Sequence, residues 1–280
     1  MFSVFSVVNS SLASNKQTGN EFKKQMKEQV LYSQCEEAAR LWLKSKFPIA
    51  FTGAGISVSS GIPDFRSPGG LWSRYNPLEV ATAEALVQNP KKVWEFLFEA
   101  NLLFSKAAPN PAHFALAKLE SEHGLQAVIT QNIDNLHQEA GSSQVVEYHG
   151  NGRRFYCQGC YREYPLELAL QLKEEDLPWV CSNCNEVIRP DIVFFGEQIP
   201  FRAQKLSTEY VLEADLVLVV GTSGEVAPAS TLPWEVTRKN GKLLECNLGE
   251  SAYANRADVR LEAQAEQALP LLEQIIAKLK

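Results

Sequence analysis

Short runs of apolar residues recur along the chain, and each is followed by glycine or by a polar cluster, a pattern typical of buried strands. Helical patterns such as Ala112–Glu122 and Thr208–Ala214 lie between several of them. Strands that alternate with helices predict an α/β fold with a doubly wound parallel sheet, which binds ligands at the carboxyl ends of its strands. The predicted strands are Pro48–Thr52, Ala127–Thr130, Val145–Glu147, Ile192–Phe195, Leu216–Val220 and Leu243–Cys246.

Two stretches interrupt this alternation and together predict a second, smaller domain. The first, residues 70–108, is helical and rich in aromatic residues, and the second, residues 152–189, carries two pairs of cysteines. The remaining folded segments, residues 21–69, 109–151 and 190–280, are then assigned to the sheet domain.

The N-terminal segment differs in character from the rest of the chain. Residues 9–22 are polar and turn-rich, so we expect residues 1–20 to form a flexible extension and the folded part to begin in the helix-like stretch Glu21–Lys46. Residues 1–8 are apolar but lack the positive residues of a secretory signal. No apolar run approaches the roughly 20 residues that cross a bilayer, so we expect no membrane association.

Composition narrows the class of protein. Hydrophobic residues make up 45% and charged residues 21% of the 280 residues, as in an ordinary globular protein. The formal net charge of -6 argues against a direct nucleic-acid partner, because such proteins present a basic surface. A cationic partner is more compatible with this charge.

Four of the six cysteines form two C-x-x-C pairs, a spacing typical of zinc ribbons. Iron–sulfur ligation and redox chemistry are the alternatives. Four protein ligands leave no open position on the metal, so one Zn²⁺ held by Cys157, Cys160, Cys181 and Cys184 would be structural. The other two cysteines stand alone, which predicts reduced thiols and a cytoplasmic location.

Three polar segments lie at or shortly after the ends of predicted strands. Gly53–Ser57 could turn tightly against a pyrophosphate, but its spacing is not G-x-G-x-x-G, and a turn without any ligand is an equal alternative. Gly61–Arg66 combines a carboxylate, an aromatic ring and a guanidinium, or is simply a surface turn with an ion pair. Thr130–Asp134 could hold an amide or a ribose, or could cap a helix.

His149 differs in position from the other three histidines. It follows a predicted strand and precedes Gly150, where the cleft of the sheet should lie, and imidazole titrates where a general base must. His113, His123 and His137 lie in helix-like contexts, for which a structural role is expected.

The motifs occur in the order found in the sirtuin family, so the chain resembles sirtuins from about residue 48 to 248. They are TGAGIS at 52–57, GIPDFR at 61–66, TQNID at 130–134, YHG at 148–150, both cysteine pairs, RPDIVFFGE at 189–197, GTS with V-x-P-A within 221–229, and Cys246-Asn247. The resemblance implies a Rossmann-like sheet domain beside a small domain made of a zinc ribbon and a helical module. It also implies a protein-lysine deacylase with NAD as co-substrate.

The reaction implied by the resemblance moves the acyl group, chiefly acetyl, from lysine to NAD and yields nicotinamide, free lysine and 2′-O-acyl-ADP-ribose. His149 would be the general base, with Asn132 and Asp134 at the nicotinamide and its ribose. The residues that would bind NAD are Gly53, Ala54, Gly55, Ser57, Asp64, Phe65, Arg66, Gln131, Asn132, Ile133, Asp134, Gly221, Thr222, Ser223 and Asn247.

The substrate would be an acyl-lysine protein or peptide. By the same resemblance, Val193 and Phe194 would flank the tunnel for the acyl-lysine. Two further pairs would clamp the substrate backbone as an added strand, namely Gly196 with Glu197 and Glu225 with Val226.

The segment 94–100 bears on which acyl groups are accepted. Family members that prefer succinyl or malonyl lysine carry a Tyr and an Arg three residues apart, where this chain has Leu97 and Ala100. An acidic acyl group would then be buried without a partner, so neutral acyl groups are expected. The chain also departs from many sirtuins at Gly224 and Cys246, which leaves the substrate preference open.

Two other functions use the same motifs. One is mono-ADP-ribosyl transfer from NAD to protein, and the other is a catalytically silent NAD-sensing or zinc-ribbon interaction module. His149 and the acyl-lysine loop favour deacylation over ADP-ribosyl transfer. The intact polar groups of every motif and the acidic net charge argue against the silent module. A monomer is the expected state.

Overall fold

A computed structural model describes residues 5–64 and 70–280, including the side chains from Lys24 onward. Within these ranges, no helix is long and apolar enough to span a membrane. The α-helices are α1 (Phe5–Trp42), α2 (Pro77–Val80), α3 (Ala83–Gln88), α4 (Pro90–Lys106), α5 (Pro111–His123), α6 (Leu136–Glu139), α7 (Leu166–Ala169), α8 (Phe201–Glu213), α9 (Leu232–Arg238) and α10 (Ala265–Leu279). The strands are β1 (Pro48–Thr52), β2 (Val128–Thr130), β3 (Val145–Glu147), β4 (Gly150–Cys157), β5 (Glu163–Tyr164), β6 (Ile188–Ile192), β7 (Leu216–Val220), β8 (Lys242–Cys246) and β9 (Val259–Leu261).

Six strands form a parallel sheet in the order β3-β2-β1-β7-β8-β9. The central strands β1 and β7 are buried throughout, and helices cover both faces of the sheet. The strand order reverses between β1 and β7, and a doubly wound sheet binds its ligands beyond the carboxyl ends at such a point. The predicted α/β fold is therefore confirmed.

Alternate side chains along each central strand pack on opposite faces of the sheet. In β7, Leu216, Leu218 and Val220 pack with α1, α5 and α10, whereas Val217 and Val219 face α8 and α9. Successive side chains of a strand point to opposite faces, so a continuous apolar run is buried on both sides.

A smaller antiparallel sheet, in the order β5-β4-β6, packs with α2–α4 around a separate apolar cluster. Trp94 lies at the centre of this cluster, stacks on Phe155 with ring centroids 6.3 Å apart, and donates an indole N–H hydrogen bond of 2.8 Å to the carbonyl of Ile188. The residues 70–108 and 152–189 thus share one core.

Several predicted element boundaries differ from the structure; the helix predicted at Thr208–Ala214, for example, is α8, Phe201–Glu213. The strand predicted at Ile192–Phe195 was wrong, because β6 ends at Ile192 and pairs antiparallel with β4 rather than joining the parallel sheet. Pro190 lies within this strand, which is tolerated since β6 is an edge strand. Helix α1 begins at Phe5, before Glu21, where the sequence predicted the folded part to start.

Candidate active site

The carboxyl ends of β1, β2, β3, β7 and β8 open into one cleft of about 400 Å³, which the small domain closes on its other side. The residues predicted to bind NAD that line it are Gly53, Ala54, Gly55, Ser57, Asp64, Gln131, Asn132, Ile133, Asp134, Gly221, Thr222, Ser223 and Asn247. Phe65 and Arg66, also predicted for this site, lie outside the described residues.

The glycine turn after β1 meets the turn after β7 backbone to backbone. The N–H of Gly55 donates a 2.8 Å hydrogen bond to the carbonyl of Gly221. A Cβ on Gly55 would lie 2.7 Å from Cα of Gly221, and one on Gly221 would lie 2.4 Å from the amide nitrogen of Ile56. Side chains would therefore push the two turns apart, whereas glycine leaves a backbone-walled cradle of the kind that admits a pyrophosphate.

A buried polar network forms the floor of the cleft. The Ser57 hydroxyl donates a 2.7 Å hydrogen bond to Oδ2 of Asp134 and accepts one of 3.2 Å from Nδ2 of Asn132. Oδ1 of Asp134 accepts a 3.0 Å bond from the N–H of Leu136, the first residue of α6. Burial raises the pKa of Asp134, although these two donors oppose the shift.

Two buried histidines lie beneath this floor. Nε2 of His113 is 3.5 Å from the Ser57 hydroxyl, and its Nδ1 accepts a bond from the N–H of Asn110. Nε2 of His137 lies 2.9 Å from the hydroxyl of Thr52. Burial lowers the pKa of His113 to about 4 and lowers the pKa of His137 well below its ordinary value, so both are neutral at neutral pH.

His149 follows β3 and lines the same cleft. Its Nδ1 lies 3.1 Å from the carbonyl oxygen of Gln131, the residue that follows β2. A carbonyl can only accept, so Nδ1 carries the proton and Nε2 keeps its lone pair in the neutral ring. Burial lowers the pKa of His149, and the bond to Gln131 opposes this shift.

Gln131, which follows β2, links this strand end to the turn after β7. Its amide Nε2 donates a 3.0 Å hydrogen bond to the hydroxyl of Thr222. The carbonyl of Ser223, beside Thr222, accepts a 2.9 Å hydrogen bond from the N–H of Ala252. The residues after β2 and β7 therefore hold each other across the sheet.

The segment after β6 forms the wall beside His149, and Val193, Phe194, Gly196 and Glu197 all line the cleft. The N–H of Val193 donates a 2.9 Å hydrogen bond to the carbonyl of His149. In the loop after β7, Val226 lines the cleft too, and Glu225 is exposed beside it.

The carboxylate of Glu197 is held by the guanidinium of Arg189 through both terminal nitrogens and by the N–H of Phe194 at 2.9 Å. Arg189 also lies over the Phe194 ring, 4.6 Å from its centroid. It donates a 2.6 Å hydrogen bond to the carbonyl of Ile192. Burial raises the pKa of Glu197, but Arg189 and Phe194 outweigh it and hold the pKa below its usual range.

The four cysteines of the small domain converge away from the cleft. Their sulfurs all lie within 4.8 Å of one another, with 3.3 Å between Cys157 and Cys184 and 3.6 Å between Cys160 and Cys181. Thiolates around a tetrahedral zinc are about 3.8 Å apart, given Zn–S bonds of roughly 2.3 Å. The donor set therefore fits one Zn²⁺ with no open position.

Sequence reasoning missed several residues at this site. Thr52, His113 and His137 were read as strand or helix residues, but they support the floor from beneath. The Asn110–His113 capping box, which turns His113 inward, was a sequence signal for one of them. Arg189 carried no predicted role, since only the fold shows that it meets Glu197.

A family model described as the Sir2 family matches residues 53–228. The chain belongs to the Sir2 family. The matched range runs from the glycine turn to the loop beyond β7 and includes His149 and all four cysteines.

Curated relatives and solved Sir2 structures resemble nearly the whole chain. A Pyrococcus abyssi protein named NAD-dependent protein deacylase is 48% identical over 84% of this chain and 94% of its own length. An NAD-dependent protein deacetylase of Sulfurisphaera tokodaii is 46% identical over 85% and 94%. A crystal structure of a Sir2 homologue with NAD is 37% identical, with a TM-score of 0.81 over 87% of this chain and 94% of that one.

Proposed function

We propose that this chain is an NAD-dependent protein deacylase that removes acyl groups, chiefly acetyl, from protein lysines. The products are nicotinamide, free lysine and 2′-O-acyl-ADP-ribose. The observation that carries the proposal is the position of His149, whose Nδ1 is held by Gln131 while its ring lines the cleft. The names of the relatives in P. abyssi and S. tokodaii support the same activity.

NAD would lie across the carboxyl ends of β1 and β7. Its pyrophosphate fits the cradle of Gly53, Ala54 and Gly55 against Gly221, where backbone amides can approach it closely. The adenosine side would face the residues after β7 and β8, which are Thr222, Ser223 and Asn247. When bound, NAD supplies an activated ribose carbon that can release nicotinamide and accept the acyl oxygen.

The nicotinamide side would rest on the polar floor, with Asp64 and Ile133 beside it. The amide of Asn132 and the buried carboxylate of Asp134 offer an acceptor and donors to a carboxamide or a ribose. Ser57 and the neutral histidines beneath fix these groups in place. A preorganised floor keeps water from competing for them. We include Phe65 and Arg66 in this site on the strength of the family motif.

His149 would act as general base. Because its buried ring has a lowered pKa, it is neutral at neutral pH, and the carbonyl of Gln131 fixes the tautomer in which Nε2 can take a proton. The bond to Gln131 would also stabilise the ring once it becomes charged.

The acyl-lysine would enter along Val193 and Phe194. Lysine has a four-carbon apolar stem, so an apolar tunnel accepts it once the amine is neutralised as an amide. Gly196 and Glu197 would pair their backbone with the peptide from one side and Glu225 and Val226 from the other. The Arg189–Glu197 pair supports this role, because it fixes the loop between β6 and α8.

Neutral acyl groups would be preferred over anionic ones. No described residue that lines the cleft is a lysine or an arginine. Leu97 and Ala100 line it in the positions where succinyl-preferring relatives carry Tyr and Arg. A carboxylate on the acyl chain would then lose its water without gaining a cation.

Zinc would hold the small domain together rather than take part in the reaction, since four thiolates close its coordination sphere. We keep the division into a sheet domain and a small domain, which the separate apolar cluster supports. Cys35 and Cys246, which lie outside the zinc site, form no disulfide, and this supports a cytoplasmic location. We also propose that the chain acts as a monomer on protein substrates without contacting nucleic acid or membrane.

The test is deacetylation of an acetyl-lysine peptide with and without NAD. The proposal expects free lysine only when NAD is present. ADP-ribose attached to protein with no loss of acetyl would support the transferase instead. NAD binding without turnover would support a sensing module.

A further inference from the structure

One polar side chain interrupts the apolar wall that α4 presents to the cleft. Leu97, Ala100, Asn101 and Phe104 all line the cleft. The spacing i, i+3, i+4 and i+7 places them on one face of the helix, so the side chain of Asn101 lies in the same stripe as its apolar neighbours.

The surroundings of this stripe are apolar. Leu71, Trp72 and Ile133 line the cleft as well, and Trp72 stacks on Phe96 with ring centroids 5.9 Å apart. Phe104 reaches the opposite side, since a Cβ on Gly152 would lie 3.3 Å from its ring and 3.1 Å from the carbonyl of Ile133.

The carboxamide of Asn101 makes no side-chain hydrogen bond to any described residue. It is half-buried and lines the cleft, so it can be hydrated only while the cleft is open to water. A plain hydrocarbon chain on this wall would displace that water and leave the amide without a partner, which is unfavourable. A chain with its own oxygen would replace the water.

The chemistry of that oxygen follows from the charges around it. The ionisable carboxyl groups that line the described cleft are Asp64, Asp134, Glu197 and Glu250, and no lysine or arginine accompanies them there. A carboxylate would therefore gain no cation from this described wall, whereas a hydroxyl can both donate to and accept from a carboxamide.

We propose that Asn101 is a specificity-determining residue and that it favours acyl-lysines whose chain bears a neutral hydroxyl, the hydroxyacyl class, over aliphatic chains of equal length. This inference rests on the proposed deacylase function. It adds a substrate class that the presence of Leu97 and Ala100, in place of Tyr and Arg, does not by itself indicate.

The test compares 3-hydroxybutyryl-lysine with butyryl-lysine in one peptide sequence, by the ratio of their kcat/KM values. The ratio of kcat/KM for 3-hydroxybutyryl-lysine to that for butyryl-lysine should be about five- to tenfold higher in the wild type than in Asn101→Leu. This factor corresponds to the free energy of one neutral hydrogen bond. Both substrates are measured on the same preparation, so partial unfolding of a variant cancels from the ratio. Leu102→Ala is the matched control, because Leu102 is exposed beside Asn101 and does not line the cleft.

A ratio in Asn101→Leu that stays within about twofold of the wild type, or rises, overturns the inference. An equal fall in Leu102→Ala overturns it too, because the effect would then belong to the helix as a whole. Acetyl-lysine peptide serves as the reference for the wild type. If the wild type does not deacetylate it with NAD, the proposed function fails. If it does and the ratios agree, only the role of Asn101 fails.

Discussion

Nδ1 of His149 lies 3.1 Å from the carbonyl oxygen of Gln131, so a residue just beyond the end of β3 is oriented by the residue that follows β2. The two strands are parallel neighbours, and the pairing of Thr130 with Glu147 sets the distance between their ends. The tautomer of the proposed base is thus a consequence of strand register.

Replacing His149 with Ala should lower kcat for deacylation by about 10²–10⁴-fold, the usual contribution of a general base. NAD binding should survive, because the glycine cradle and the polar floor do not depend on this ring. Single-turnover assays and calorimetric titration with NAD separate the two effects. Near-normal turnover of the variant would refute the role of His149.

The pH dependence of kcat/KM for the acyl peptide should show the lowered pKa of His149. The base works when neutral, so the rate rises as His149 loses its proton and is lost as the pH falls through its pKa in the folded enzyme. Burial moves that midpoint below the usual 6.5. A profile from pH 5 to 8 measures it, and an acidic limb centred above 6.5 would contradict the burial argument.

Glu197→Gln should raise the KM for the acyl peptide by about tenfold or more, since the loop between β6 and α8 loses its ion pair with Arg189. The KM for NAD should change much less. Removing one partner leaves a buried charge unpaired, so the double variant Arg189→Met/Glu197→Gln should unfold at a higher temperature than Glu197→Gln alone. Equal effects on both KM values would argue against a role in peptide positioning.

Cys160→Ser or Cys184→Ser should abolish zinc binding and give unstable or insoluble protein, because the metal stabilises the fold of the small domain. Metal analysis of the purified wild type should give one zinc per chain. Asn183→Ala is the control, since this exposed side chain lies between the ligands without being one. A soluble, zinc-free and active cysteine variant would disprove the structural role.

Succinyl-lysine should be a poor substrate beside acetyl-lysine, by about tenfold or more in kcat/KM. The double variant Leu97→Tyr/Ala100→Arg should gain succinyl activity, because it supplies a hydroxyl and a guanidinium to the cleft wall. Leu97→Tyr alone serves as the control without the cation. A succinyl preference in the wild type would overturn the interpretation of these two positions.

The central strands could be predicted from sequence because their signal is local. Pro48–Thr52 and Leu216–Val220 were predicted with the observed bounds, since runs of buried apolar residues identify the middle of a parallel sheet. The edge strand Val145–Glu147 was also predicted with the observed bounds. The strand predicted at Ile192–Phe195 was misplaced. The true strand, β6, is an edge strand that contains Pro190 and therefore shows no continuous apolar run.

The supporting contacts of the site could not be predicted in the same way. Family motifs indicated Ser57 and Asp134, but that His113 lies beneath them depends on how α5 crosses the sheet. Nothing in the sequence pairs Arg189 with Glu197 rather than with another carboxylate. Such contacts arise from tertiary packing, which joins residues far apart in the chain.

The central claim is tested most directly by the stoichiometry of one reaction, in which the enzyme is incubated with NAD and an acetyl-lysine peptide. We predict equal amounts of nicotinamide, deacetylated peptide and O-acetyl-ADP-ribose at every time point. Nicotinamide release accompanied by free ADP-ribose or by ADP-ribosylated protein, with the peptide still acetylated, would contradict the account.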